Sequence, residues 1–164
     1  MASCWTEQRR DEISVGMGQA VFQREPAQLT AILGSCVAIA MYAPKSRAGM
    51  LGHVVLPKST KETAYPAKFA DTVVPYMRSV FERHGIPSSD LVAKLVGGSC
   101  MFGHKSKFLD IGDGNAQAAV EALAAASIRL VASDVGGSSG RRICFDLTTG
   151  EIVVEFSGHQ IRTL

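Results

Sequence analysis

Residues 33–57 read LGSCVAIAMYAPKSRAGMLGHVVLP, and the fold turns on how this stretch divides. Val37 to Tyr42 is an unbroken apolar run of strand length. Ala43-Pro44-Lys45-Ser46-Arg47 is a polar turn, and Met50 to Leu56 reads as the returning strand, closed by Pro57. The pattern predicts a β-hairpin across 37–56. Simple hairpin register places His53 opposite the middle of the first strand.

Working outward, Ile13, Val15 and Met17 alternate as in a half-buried strand, where Gly16 and Gly18 either weaken the strand or mark a bulge. Leu29 to Leu33 is a short apolar segment ended by Gly34-Ser35. Downstream, Phe69, Val73, Met77, Val80 and Phe81 recur at helical spacing and Gly85 ends the pattern. Pro66 suits the first turn, whereas Pro75 should kink the helix, because it removes a backbone donor. Leu91 to Val96 is a strand, and residues 99–114 read as a Gly-containing loop. Asn115 to Ser127 is an Ala-rich second helix with Ala116, Val120 and Leu123 on one face. Ile128 to Ala132 is a strand. Ile143, Phe145 and Leu147, then Ile152, Val154 and Phe156, alternate about the turn Thr148-Thr149-Gly150, a second hairpin. The order predicts a mixed α/β fold with largely antiparallel sheets and two main helices. Residues 1–12 are expected to be a flexible segment and 13–164 a single domain.

Composition excludes several classes. Hydrophobic residues make up 46% of 164 and charged residues 20%, which argues against overall disorder. Seventeen basic against 15 acidic residues leave a net charge of +2, too little for a nucleic-acid surface. The N-terminus carries no apolar signal core and no window reaches transmembrane length, so a cytoplasmic protein without membrane insertion is expected. Cys4, Cys36, Cys100 and Cys144 form no CxxC pair and are expected as reduced thiols. Histidine spacing predicts no metal site, and the glycine pairs match no cofactor motif.

Three residues could carry chemistry. Cys36 follows the Gly34-Ser35 turn, where unpaired backbone N–H groups can steady a thiolate or an oxyanion. On pattern alone it is more often a small residue that fills a core. His53 interrupts the returning strand; beside a thiol it would take and return a proton, and alone it is an ordinary strand histidine. Thr30 is, by pattern, a β-branched strand residue. Met101-Phe102 in a Gly-flanked loop is either folded under or offered to a partner. Arg141-Arg142 could meet an acidic surface or simply be packed and solvated.

Several segments together resemble the bacterial chemoreceptor glutamine deamidase family, CheD. They are Leu33-Gly34-Ser35-Cys36-Val37, Gly52-His53-Val54-Val55-Leu56-Pro57, Lys94-Leu95-Val96-Gly97-Gly98 with Met101-Phe102, and Ile111-Gly112 with Asn115. Asp134-Val135-Gly136-Gly137, Gly140-Arg141-Arg142 with Phe145-Asp146, and Thr149-Gly150 complete the set. The resemblance implies an α/β/β-layered sandwich. It implies hydrolysis of glutamine side-chain amides on methyl-accepting chemotaxis proteins, with release of ammonia and no cofactor. It places a catalytic triad on Cys36, His53 and Thr30, a thioester on Cys36, and the nucleophile loop on Gly34 and Ser35. Some members also bind CheC, a phosphatase of the response regulator CheY. The alternative is therefore a non-catalytic regulator of CheC, with Met101 and Phe102 as the contact. Cys100 and Gly114 depart from the residues usual in the family. A cysteine protease or acyltransferase would share the Cys-His chemistry but not the other segments.

Overall fold

The computed structural model describes residues 11–101, 111–158 and 160–164. Among them are ten strands and two α-helices in three layers. One sheet has the order β1 (Asp11–Ser14), β3 (Ala27–Leu33), β8 (Arg141–Asp146), β9 (Ile152–Phe156), β10 (Ile161–Thr163). The other has the order β2 (Ala20–Arg24), β5 (Ala48–Val54), β4 (Val37–Ala43), β6 (Val92–Gly97), β7 (Arg129–Val135). Pairing is antiparallel except for β1 with β3 and β6 with β7. Helices α1 (Ala70–Arg83) and α2 (Ile111–Ala125) cover the second sheet.

The strand β4 shows why this sequence folds this way. Both its faces are buried, so it reads as a continuous apolar run. Val37, Ile39 and Met41 face the helices with Val73, Met77, Phe81 and Leu123. Ala38, Ala40 and Tyr42 face the first sheet, with Leu29, Ile143, Phe145 and Val154. Two cores thus lie either side of one sheet.

Both predicted hairpins form. In the first, the turn occupies 44–47 and the ladder runs from Ala43↔Ala48 to Val37↔Val54. His53 therefore pairs with Ala38, near the start of β4 and not its middle. The difference matters because it brings His53 to the end of the strand that Cys36 precedes.

Other elements depart from the sequence pattern. Pro75 lies inside α1, on its exposed side, while Val73, Val74, Met77, Val80 and Phe81 anchor the buried side. The second helix begins at Ile111, four residues earlier than Asn115. Gly112 and Gly114 suggest a loop, yet Gly112 is required inside the helix: a Cβ there would stand 2.5 Å from the Gly98 carbonyl oxygen. The buried side of α2 carries Gly112, Asn115, Ala118, Ala119 and Leu123, whereas Val120 is exposed. The strand β10 has no strong pattern because its side chains are exposed, and β2 has none because Ala20 and Phe22 pack on one core and Val21 on the other, all only partly buried.

Candidate active site

The chain leaves the first sheet at Leu33 and enters the second at Val37. Gly34, Ser35 and Cys36 make that crossing, so the thiol sits where the two sheets meet. The turn is held from three sides. The Gly98 N–H donates to the Cys36 carbonyl at 2.8 Å and the Ser99 N–H donates to the Gly34 carbonyl at 2.9 Å. Asn115 Nδ2 donates to the Ser35 carbonyl at 3.0 Å. Gly97, at φ +116°, has no room for a side chain, because a Cβ would run into the Cys36 carbonyl. Among the described residues no backbone carbonyl accepts from the Ser35 or Cys36 N–H.

His53 approaches from β5. Directly paired residues share a face of the sheet, and residues two apart on one strand also share it. Cys36 and Ala38 both face the first sheet, so His53, opposite Ala38, faces the same way. Cys36 and His53 are thus diagonal neighbours across the β4–β5 ladder, a relation that spans roughly 7–8 Å between backbones and lies within reach of long side chains.

The ring is oriented from the main chain. Nδ1 lies 2.9 Å from the Val15 carbonyl oxygen. A carbonyl only accepts, so Nδ1 carries the proton and Nε2 presents a bare lone pair. Nε2 is buried and has no partner among the described residues. The strand segment around His53 is fixed as well: its N–H donates to the Gln19 carbonyl at 2.9 Å, and its carbonyl accepts from Gly18 at 2.8 Å. Thr30, also buried, holds the residue that holds the ring, since its carbonyl accepts from the Val15 N–H at 2.8 Å.

Burial sets the protonation. It pushes the Cys36 thiol above its ordinary range, against a smaller opposing effect of the residue's own backbone amide. Burial likewise pushes His53 below its ordinary value, partly offset by the Val15 carbonyl. The resting pair is a neutral thiol and a neutral imidazole with a free acceptor nitrogen. Such a pair becomes a nucleophile by passing the thiol proton to Nε2.

The surroundings sort the remaining candidates. Met101 is half exposed, with its Sδ 2.8 Å from where a Gly34 Cβ would stand, so its side chain lies against the turn that carries Cys36. Phe102 lies outside the described residues. Arg141 is buried, paired with Asp134 and bonded to the Asp134 and Gly136 carbonyls. It braces a loop whose Gly137 carbonyl accepts from the Cys100 N–H at 2.8 Å. Arg142, half exposed, lies 3.4 Å from Glu12. Cys36 and Cys100 are free thiols, but Cys144 is disulfide-bonded, contrary to the expectation of four reduced cysteines. Among the described residues no three His, Cys, Asp or Glu side chains gather as metal ligands. No described helix is long and apolar enough to cross a membrane.

Two participants were not visible as site residues in the sequence. Val15 contributes a carbonyl, which no side chain announces. Asn115 did leave a signal, because it stands four and eight residues before Ala119 and Leu123, a polar residue on a buried stripe.

Residues 55–156 match the family model described as CheD chemotactic sensory transduction. The match begins just beyond His53, but similarity to curated relatives extends further. A protein of Archaeoglobus fulgidus is 42% identical over 147 residues, 89% of this chain and 94% of the relative. One of Desulforamulus reducens is 38% identical over 158 residues, 93% of this chain and 95% of the relative. One of Clostridium botulinum is 38% identical over 152 residues, 90% and 94% respectively. Each of the three is named a probable chemoreceptor glutamine deamidase CheD. Together with the layered α/β fold, these matches establish that the chain belongs to the CheD family.

Proposed function

We propose that this protein is a cytoplasmic deamidase that converts glutamine side chains of methyl-accepting chemoreceptors to glutamate. The observation that carries the reading is the Nε2 of His53, without a partner among the described residues, on the same face as Cys36 and diagonal to it. Cys36 Sγ attacks the carboxamide carbon while its proton passes to Nε2. The oxyanion accepts hydrogen bonds from the Ser35 and Cys36 N–H groups, in the turn that begins at Gly34. The tetrahedral intermediate collapses, the C–N bond breaks, and His53 gives its proton to the departing ammonia. The resulting thioester is attacked by water, whose proton His53 takes. The C–S bond then breaks, glutamate leaves, and the thiol is restored. Thr30 completes the triad through Val15, whose carbonyl keeps the imidazole in the tautomer with Nε2 free.

Each turnover replaces a neutral amide by a carboxylate on the receptor. Such a local charge change can bias a two-state signalling element. The test is mass spectrometry of a receptor cytoplasmic fragment incubated with wild type or Cys36→Ala. The amide-to-acid mass change is expected with wild type alone, and equal conversion by both proteins would sink the reading.

The half-exposed Met101 beside the nucleophile turn supports a second role, binding of a CheC-type phosphatase. Met101→Ala and Phe102→Ala should then weaken capture of CheC. Unchanged affinity in both would remove this loop from the interface.

A further inference from the structure

The ladder between β4 and β5 stops at Val37↔Val54, just short of the residues that matter. Continued, it would join Cys36 and Ser35 to Val55 and Leu56. Instead the Val55 and Leu56 N–H groups both turn to the Lys68 carbonyl, each at 3.0 Å. The strand carrying the histidine and the turn carrying the nucleophile therefore separate without backbone bonds between them at this point.

One side chain spans the gap. Asn115 is fully buried, and its Nδ2 donates to the Ser35 carbonyl at 3.0 Å and to the Val55 carbonyl at 2.9 Å. Ser35 precedes Cys36 and Val55 follows His53 by two residues. A carboxamide nitrogen is suited to this task. It carries two protons in one rigid plane, so it fixes two acceptors relative to each other, and it brings no charge into the core. Aspartate lacks the donors, and serine offers one. The root of the side chain is fixed too, because Gly112 packs its helical turn against the Gly98 carbonyl. Gly98 in turn donates to the Cys36 carbonyl. Helix, nucleophile turn and histidine strand form one closed circuit.

We propose that Asn115 is a positioning residue that sets the separation of Cys36 from His53 by tying the Ser35 and Val55 carbonyls together. The inference rests on the Cys36–His53 chemistry proposed above. It makes the site a joint product of β4, β5 and α2, and it assigns the work to a residue that touches neither the substrate nor the reacting atoms.

The test compares Asn115→Ala, Asn115→Ser and Leu123→Ala. Leu123 is a core residue of the same helix that touches neither carbonyl. Steady-state deamidation of a receptor fragment is read as kcat and KM. The pH–rate profile of Cys36 alkylation by iodoacetamide is read by peptide mapping, with His53→Ala for reference. Asn115→Ala is expected to lower kcat by ~10- to 100-fold, the scale on which small misplacement acts, with KM within ~2-fold. Its alkylation profile should move to that of His53→Ala, and Asn115→Ser should fall between. Leu123→Ala should lower thermal stability but keep the wild-type kcat and profile. A wild-type kcat or profile in Asn115→Ala, or an equal kcat loss in Leu123→Ala, overturns the inference. Should the Asn115 variants not fold, nitrogen-15 NMR of the wild type decides: both Asn115 side-chain protons should be protected from exchange, and free exchange overturns the proposal. Alkylation needs no substrate, so the inference can be judged even if receptor deamidation fails. Conversely, Cys36-dependent deamidation with an indifferent Asn115 rejects this inference alone.

Discussion

Gly97 is the position where one methyl group should reach the chemistry most directly. Its φ of +116° belongs to glycine, and a Cβ there would stand well inside the 3.0 Å that carbon and oxygen tolerate, against the Cys36 carbonyl. Gly97→Ala therefore does two separable things. The strained backbone costs about 1–3 kcal/mol. That alone lowers Tm by about 2–4 °C per kcal/mol in a protein of this size. The carbonyl must also retreat, carrying Cys36, the proposed nucleophile, with it, and a shift of roughly 1 Å in a catalytic group costs ~10²-fold. Gly85→Ala supplies the control: it also has positive φ, +74°, but nothing lies within 4 Å of its Cβ. The assay is kcat on a receptor fragment, normalised to folded protein by circular dichroism, alongside thermal melts. Both variants should melt below wild type, and only Gly97→Ala should lose ~10²-fold in kcat. Normal turnover in a folded Gly97→Ala enzyme, or equal losses in both variants, would refute the reasoning.

Other outcomes follow from the same structure. Because burial lowers the His53 pKa and raises that of Cys36, the neutral pair should dominate between 6.5 and 9.0. A plateau in kcat/KM across that window is expected, with an acid limb below 6.5; an acid limb above it would contradict the assignment. The same shift has a stability consequence: below 6.5 the unfolded chain binds a proton that folded His53 resists, so stability falls as pH falls. His53→Gln should lose that component, and Tm measured from pH 7 to 5 checks it. Arg141→Met removes a buried guanidinium from the Asp134 and Gly136 carbonyls, while Asp134 keeps its ion pair with Arg162 at 2.8 Å; it should destabilise by about 1–3 kcal/mol, read by urea unfolding. Tyr42→Phe strands the Leu147 carbonyl, which the Tyr42 hydroxyl reaches at 2.9 Å, and should cost about 1–3 kcal/mol by the same measurement.

Much of the scaffold was legible because burial imposes period. The runs 37–42 and 143–147 declared strands, and Phe69 to Phe81 declared a helix, since each presents a repeating face to a core. What escaped notice did so for physical reasons. Gly112 looked like a loop residue because close packing against a carbonyl and conformational freedom call for the same amino acid. Val120 looked like a core residue because alanine-rich helices give little contrast between faces. The site divided in the same manner. Cys36 and His53 were visible as reactive types in unusual places, but the pairing of His53 with Ala38 depends on where the turn sits. The main-chain role of Val15 carries no side-chain signature at all. The Asn115 bridge requires knowing where the β4–β5 ladder stops and that the Ser35 and Val55 carbonyls come within reach of one side chain, which is a property of the assembled sheet.

The central claim is that Cys36 becomes acylated by a glutamine side chain with His53 as its proton carrier. Acid-quenched intact-protein mass spectrometry, with enzyme in excess over a glutamine-bearing receptor fragment, tests it most directly. The account predicts an adduct of wild type mapping to Cys36, with ammonia lost, sensitive to hydroxylamine as a thioester is, and absent from Cys36→Ala and His53→Ala. Deamidated product from Cys36→Ala, or an adduct mapping to Cys100, would contradict it.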